Sequence, residues 1–407
     1  MPDYIIGPIA ELHTLHGGAG LRRGQALRDT GIVRDAGIAV VDGLVAAVGS
    51  SADVLKRFDL PSRLARLVTP GLVDPHTHIV WGGNRADEFL RRSAGESYES
   101  IAAAGGGILS TMRATREASV EELTDGIVHR ADAMLRKGTT TIEVKASYGL
   151  SPDGCEKELN AILAARNQSR ARLVATFMGA HAFPPDYLRS DYVSLLCSEL
   201  IPHAARHGSK PTFCDVFCEV GAFSVEESAA ILDAAIASGL RPKIHADEFN
   251  ELGGVAMAVE KGAASCDHLL VTGGVGRSAL ATADTAAVLL PGTALYLGKP
   301  YADARAMAEA GCAIALGTDF NPGSSMVCSM AFAMGLAVTK MKLSTEEALT
   351  AATVNAAAAI DAPAAGRIEA GLPADLCLWP CDSLAEMLWQ FTYIEPEAVF
   401  VGGSALE

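Results

Sequence analysis

No run of roughly eighteen uninterrupted apolar residues occurs in this chain, so no membrane-spanning helix is expected. The opening residues, MPDYIIGPIAELHTL, lack the basic segment and long apolar run that mark a secretory signal. Basic residues are the minority, 33 Lys and Arg against 48 Asp and Glu, for a formal net charge of −15. That balance denies nucleic acid and anionic membranes the positive face both require, and ordinary solubility accounts for it. A disulfide framework is missing as well. The nine cysteines are scattered and odd in number, which reads as reduced thiols in a cytoplasmic protein. Cys214 and Cys218, in FCDVFCE, would share one side of a strand as small packing residues. They lack a second cysteine pair nearby to complete a structural zinc site, since Cys377 and Cys381 lie far along the chain. Nor is there a nucleotide cradle. The glycine-rich AAAGGGILSTMRATR does not directly follow a strand and lacks the G-x-x-x-x-G-K-[ST] pattern. Gly105 to Gly107 read instead as a flexible loop able to close over a site.

What is present is a large apolar fraction, 49% of 407 residues, enough for a sizeable core. Charged residues make up 20% with no long like-charge block, which argues against disorder. Residues 1–69 hold short apolar runs cut by Gly and Asp, and DGLVAAVG has the pattern of a hairpin around Asp-Gly. From Gly366 onward, GRIEAGLPADLCLWP and PEAVFVGG look similar. Two β-rich ends point to one composite β-sandwich domain, residues 1–69 and 366–407. The middle, 70–365, alternates. Eight strand-length apolar runs, from RLVTPGLVDPH to CAIALGTD, are mostly separated by helical stretches such as EELTDGIVHRADAMLRKG and SVEESAAILDAAIASG. Strand then helix, repeated eight times with continuously apolar strands, favours a (β/α)8 barrel of the TIM type. A doubly wound open sheet is the alternative, and it would normally carry the glycine-rich loop that is missing here.

In such a barrel the active site lies at the C-terminal strand ends. Five of the ten histidines, His76, His78, His181, His245 and His268, fall at those ends, and Asp319 ends the last strand. His13, His16, His129, His203 and His207 read as surface or helix residues. His76 and His78 flank Thr77, so both leave the same side of the chain. His245 adds a third nitrogen and Asp319 an oxygen, a ligand set suited to zinc or iron that leaves room for water. A bridging lysine for a second ion would be expected on strand four, but that strand ends in Glu219. One divalent ion per subunit, Zn2+ or Fe2+/Fe3+, is therefore expected. Lys145 reads as an ion-pair residue of the barrel interior.

Taken together, PGLVDPHTHIVWGGNR, GGGILSTMRATREAS, GTTTIEVKASYGL, FMGAHAFPPDY, CDVFCEVGAFS, KIHADEFNELGG and GTDFNPGSS resemble the imidazolonepropionase family of the amidohydrolase superfamily. The likeness covers nearly the whole chain. It implies hydrolysis of 4-imidazolone-5-propanoate to N-formimidoyl-L-glutamate in histidine degradation, with the same four metal ligands. It also implies a homodimer, and substrate contacts from Arg85, Tyr148, His181 and Glu248, with Asn321, Gly323 and Ser324 at the other end of the molecule. Two positions depart from the family pattern: Ser147 replaces a glycine, and Met326 stands where proline is common.

The expected chemistry divides as follows. Asp319 holds the metal and accepts a proton from water. Glu248, three residues past His245, shuttles a proton to the ring nitrogen, and His268 donates to the oxyanion or orients Glu248. Arg85 suits the propanoate carboxylate through its planar fork, with a surface ion pair to Asp87 or Glu88 as the plain alternative. Tyr148 as a core aromatic and Asn321-Pro322-Gly323 as a simple turn are likewise open. Two rival functions stand beside this one: another mononuclear amidohydrolase or aminohydrolase acting on a related small heterocycle, and a non-catalytic barrel with a structural metal. Glu248 and His268 argue against the second.

Overall fold

A computed structural model describes residues 3–96, 100 and 105–406. The chain begins with β1 (Tyr4–His13), β2 (Ile32–Val41), β3 (Leu44–Ser50) and β4 (Ser62–Pro70). Asp42 and Gly43 join β2 to β3 at φ 52° and 78°, the left-handed pair that a two-residue hairpin turn needs. The hairpin expected from DGLVAAVG is thus present.

The middle of the chain supplies β5 (Leu72–Asp74), β6 (Thr139–Ala146), β7 (Arg172–Ala180), β8 (Phe213–Cys218), β9 (Arg241–Ala246), β10 (Ser265–His268), β11 (Ala286–Leu289) and β12 (Ala313–Leu316). They pair in sequence order and in parallel as one eight-stranded sheet. Helices alternate with them. Those over Val120–Arg136 and Val225–Ala237 each start with a capping box, Ser119 with Glu122 and Ser224 with Glu227. Such a cap contributes about 1 kcal/mol to the helix start. The first of these helices buries Leu123, Ile127, Ala131 and Met134 at helical spacing against the barrel.

The barrel closes beyond the regular strands. The N–H of Asp319 donates to the carbonyl of His76 at 3.0 Å, and the N–H of His78 donates to Phe320 at 3.0 Å. Asp74, fully buried, accepts from the Thr318 N–H (3.1 Å) and hydroxyl (2.5 Å) and from the His76 N–H (3.3 Å). First and last strands are therefore stitched together at the end where the expected ligands stand.

The chain ends in β13 (Leu376–Trp379), β14 (Ala398–Val401) and β15 (Ser404–Ala405). These extend the N-terminal sheet through β4, in the order β15-β14-β13-β4-β1-β2-β3. The sheet rolls until its ends meet: Ala374 donates to the carbonyl of Gly43 at 2.9 Å, and Gly403 to that of Ala374 at 3.0 Å. Ile6, Leu12, Val40, Leu376 and Phe400 fill the space between, so both termini build one small core. His13 departs from expectation. It is buried in β1, with Nε2 2.9 Å from Glu11 and Nδ1 2.8 Å from the Thr30 hydroxyl, because a polar side chain inside this core needs partners for both nitrogens.

Candidate metal centre and active site

The barrel mouth gathers His76, His78, His245, His268 and Asp319, all buried. Oδ1 of Asp319 lies 3.5 Å from Nε2 of His76 and 3.6 Å from Nε2 of His78. Nε2 of His78 and Nε2 of His245 are 3.3 Å apart. Candidate ligand groups among the described residues are His76, His78 and Asp319; His76, His245 and His268; and Asp215, His245 and Asp267. Oδ2 of Asp319 accepts from the Thr293 hydroxyl at 2.6 Å, which turns Oδ1 towards the histidines.

The opposite ring nitrogens decide which atoms face inward. Nδ1 of His76 lies 2.6 Å from Oδ2 of Asp267, and Nδ1 of His245 lies 3.0 Å from Oδ1 of Asp215. An ionised carboxylate only accepts, so both Nδ1 atoms carry the proton and both Nε2 atoms present lone pairs. Nδ1 of His78 meets the Ser147 hydroxyl at 2.9 Å, a group able to accept or to donate. Nε2 of His76 is fully buried with no hydrogen-bond partner among the described residues. A bare lone pair beside a carboxylate and two further imidazole nitrogens is what a cation would satisfy. The residues present therefore fit a metal ion.

Beneath the ligands sits a buried ionic network. Lys145 Nζ is 2.7 Å from Asp215, 2.8 Å from Glu143 and 3.9 Å from Asp267. Lys243 Nζ is 2.8 Å from Glu143, 3.7 Å from Asp267 and 2.9 Å from the Pro75 carbonyl. Burial alone would lower the Lys145 ammonium, but Asp215, Glu143 and Asp267 outweigh it and raise it. Lys145 is thus a protonated interior ion-pair residue, as its place on β6 suggested. The two ammonium groups hold Asp215 and Asp267 where the histidines need them.

Burial dominates the titration of the mouth. It holds His76, His78 and His268 well below the usual imidazole range, pushes Asp319 up to about 6 and lowers His181 to about 3. Glu248 is raised well above the usual carboxyl range, first by burial and then by the charges of Asp319 and Glu219. Asp247, His268 and Asp319 have φ of 53°, 78° and 52°. Non-glycine residues in that left-handed region cost on the order of 1–3 kcal/mol each and cluster at functional sites.

The expected substrate residues surround this centre. His181 stacks on His78, ring centroids 4.8 Å apart, and Tyr148 lies 5.4 Å from His181. Glu248 Oε1 is 3.7 Å from Nδ1 of His268, beyond hydrogen-bond reach. Arg85 is paired with Glu88, Nη2 to Oε2 at 2.5 Å, so the ion pair named as its plain alternative does form. The same guanidinium also reaches the turn after Asp319, where a Cβ on Gly323 would lie 2.6 Å from its Nη1. Asn321 shapes that turn: its Oδ1 accepts the N–H groups of Gly323 and Ser324, both at 2.8 Å. Gly107 donates to Glu88 at 2.9 Å, which ties the glycine-rich loop to Arg85.

Several participants were given no role in the sequence reading. Asp215, Asp267, Ser147 and Thr293 each bond a candidate ligand. Asp267 is the penultimate residue of β10 and Ser147 interrupts a family motif, but neither position announces a partner by itself. Glu219, noted only as a strand end, accepts from the Phe249 N–H (2.9 Å), the Asn250 N–H (3.2 Å) and the Asn250 amide (2.8 Å), and so fixes the loop that carries Glu248.

Comparison with known proteins agrees with this architecture. Residues 67–406 match the model of the amidohydrolase family. A protein of Symbiobacterium thermophilum named imidazolonepropionase is 45% identical over 386 residues, 92% of this chain and 90% of its own. One of Solibacter usitatus with the same name is 41% identical over 414 aligned positions, 100% of this chain and 99% of its own. Among solved structures, a guanine deaminase from C. acetobutylicum with bound guanine superposes at a TM-score of 0.73 with 18% identity over 100% of both chains. An adenosine deaminase from Xanthomonas campestris with bound zinc gives 0.72 and 19%, over 99% of this chain and 92% of its own. At such identities the likeness shows the fold alone.

Proposed function

The chain belongs to the imidazolonepropionases of the amidohydrolase family, and from that premise we propose how its residues open the ring of 4-imidazolone-5-propanoate. The reaction is hydrolysis of a cyclic amide to N-formimidoyl-L-glutamate, a step of histidine degradation. The observation that carries the assignment to this site is the unpartnered Nε2 of His76 beside Oδ1 of Asp319, with Nε2 of His78 3.6 Å from that oxygen and 3.3 Å from Nε2 of His245.

Those four residues would hold one ion, zinc or iron. When bound, such an ion acidifies a water molecule and polarises the substrate carbonyl. Asp319 Oδ1 faces the same space and takes the proton from the attacking water, while Thr293 occupies Oδ2. Glu248, whose carboxyl burial raises above the usual range, delivers a proton to the departing ring nitrogen. Nδ1 of His268, buried and without a hydrogen-bond partner among the described residues, is the donor offered to the developing oxyanion. Arg85 binds the propanoate through the edge of its fork that Glu88 leaves open. Tyr148 and His181 pack on the imidazolone ring, and the Asn321–Ser324 turn receives the far end of the molecule.

The test is loss of imidazolonepropanoate absorbance under a metal-loaded preparation, with metal analysis alongside. We expect turnover with one equivalent of zinc or iron; a loaded protein inert towards this compound would sink the substrate assignment. We also propose domain boundaries at 69/70 and 365/366: the first lies within one residue of the junction between β4, which runs to Pro70, and β5, which begins at Leu72, and near the second Ala365 packs with Val73 and Phe213 while Ile368 packs with the β domain. A homodimer is proposed on the family resemblance and is checked by light scattering. A cytoplasmic location is supported by nine free cysteines, and no helix among the described residues is long and apolar enough to cross a membrane.

A further inference from the structure

We infer that Glu158 is a positioning residue for this site, acting through the turn Ser147–Tyr148–Gly149. Its carboxylate, fully buried on the helix Pro152–Arg166, accepts three consecutive backbone N–H groups: Ser147 at 3.2 Å, Tyr148 at 2.9 Å and Gly149 at 2.8 Å. No Lys, Arg or His among the described residues pairs with it within 4.0 Å, so these amides are its only observed charge partners.

The turn does three things at once. The Ser147 hydroxyl meets Nδ1 of His78 at 2.9 Å, the Ser147 carbonyl accepts from Nδ1 of His181 at 3.0 Å, and the Tyr148 ring stands beside both histidines. A carbonyl only accepts, so the turn also fixes the proton of His181 on Nδ1 and leaves Nε2 as the free lone pair. The turn is pressed onto the helix that carries Glu158. A Cβ on Gly149 would lie 2.3 Å from the carbonyl carbon of Gly154. Arg116 clamps the opposite side, donating to the carbonyls of Gly149 and Leu150 at 2.7 Å each.

A buried carboxylate without a cationic partner is a poor way to gain stability, since burial outweighs the pull of the three amides and pushes its carboxyl up to about 7. What those amides obtain in return is a single backbone geometry. That geometry sets one metal ligand and two groups placed on the substrate, so the role rests in part on the proposed function above.

The test uses the full chain. Zn2+ affinity is read by competition with a chelating dye, and KM and kcat are read with imidazolonepropanoate. Glu158→Gln puts an amide NH2 against N–H donors. We expect its Zn2+ affinity to fall about tenfold or more, the scale found for partners of metal ligands, and KM to rise by a similar factor. Ser147→Ala should lower Zn2+ affinity with less effect on KM, and Glu158→Asp should recover part of both losses. Leu159→Ala, on the same helix but apolar and fully buried, is the control: it should lower the melting temperature without moving either reading. Glu158→Gln readings within about twofold of wild type, or matched by Leu159→Ala, would overturn the role. Should Glu158→Gln fail to fold, Glu158→Asp carries the same comparison. An inactive wild type would remove only the KM arm, and the Zn2+ arm would still judge Glu158.

Discussion

The backbone N–H of Asp319 donates to the carbonyl of His76 across 3.0 Å, and this bond is part of the seam that closes the barrel. The same two residues face each other through their side chains, Oδ1 to Nε2 at 3.5 Å. Barrel closure and placement of the candidate ligands are therefore one feature of the fold. The left-handed φ of Asp319, 52°, is held in place by the seam, which supplies rigid support where a loop would not.

Asp74, at the base of that seam, should make stability depend on pH. Burial pushes its carboxyl up to about 7, against about 3.9 in an unfolded chain. The folded state then binds a proton that the unfolded state has already released. The stabilisation from this group is complete below about pH 4 and is lost as pH rises through about 7, a swing of about 4 kcal/mol. Urea unfolding of wild type and Asp74→Asn across pH 4–7 measures it. The wild type should lose stability relative to the variant as pH rises; parallel curves would refute the claim.

Asp267→Asn should weaken metal binding more than it weakens the fold. The 2.6 Å contact to Nδ1 of His76 sets the tautomer that turns Nε2 inward. An amide in its place can offer N–H instead of accepting, and the ring then has no fixed orientation. Loss of a partner of this kind typically costs 10–100-fold in affinity. Titration of the metal-free variant with Zn2+ gives the number, and affinity equal to wild type would place the histidine under other control.

These contacts also show what the sequence could and could not disclose. The gathering of His76, His78, His245 and Asp319 at one mouth was legible because ligand chemistry restricts the residue types to look for and a parallel barrel restricts where strands end. The composite β domain was legible from the Asp-Gly hairpin and two apolar ends of similar pattern. Asp215 and Asp267 were not, because each meets its histidine 30 and 191 positions away in the chain, and an acid in an apolar run carries no mark of its partner. Arg85 was only half legible. Its partner Glu88 is three residues along a helix start and easily foreseen, whereas its approach to Gly323 depends on closure of the barrel.

Replacing Glu248 with Gln should leave metal content unchanged and cut kcat by a hundredfold or more, the scale of general acid–base catalysis. The variant keeps the shape and the loop contacts made by Glu219 but cannot give up a proton. Metal analysis and steady-state kinetics on one preparation are sufficient. Near-normal turnover would assign the proton to another group, with His268, 3.7 Å away, the first to examine.

Arg85→Ala tests the other half of the motif. Its guanidinium is nearly buried, bonded to Glu88 at Nε and Nη2, with Nη1 turned towards Gly323. A carboxylate entering between Arg85 and the Asn321–Ser324 turn would gain charge-assisted hydrogen bonds of about 1.5–3 kcal/mol. If the interaction is equal in ground and transition states, its loss raises KM about tenfold to a hundredfold and spares kcat. Glu88 makes the result discriminating, because removing Arg85 also leaves that nearly buried carboxylate without its cation, beside the N–H of Gly107. A purely structural Arg85 would therefore lower the melting temperature and leave KM alone. A substrate-binding Arg85 raises KM for the propanoate, and the increase should be much smaller for an analogue in which the carboxylate is replaced by a neutral amide.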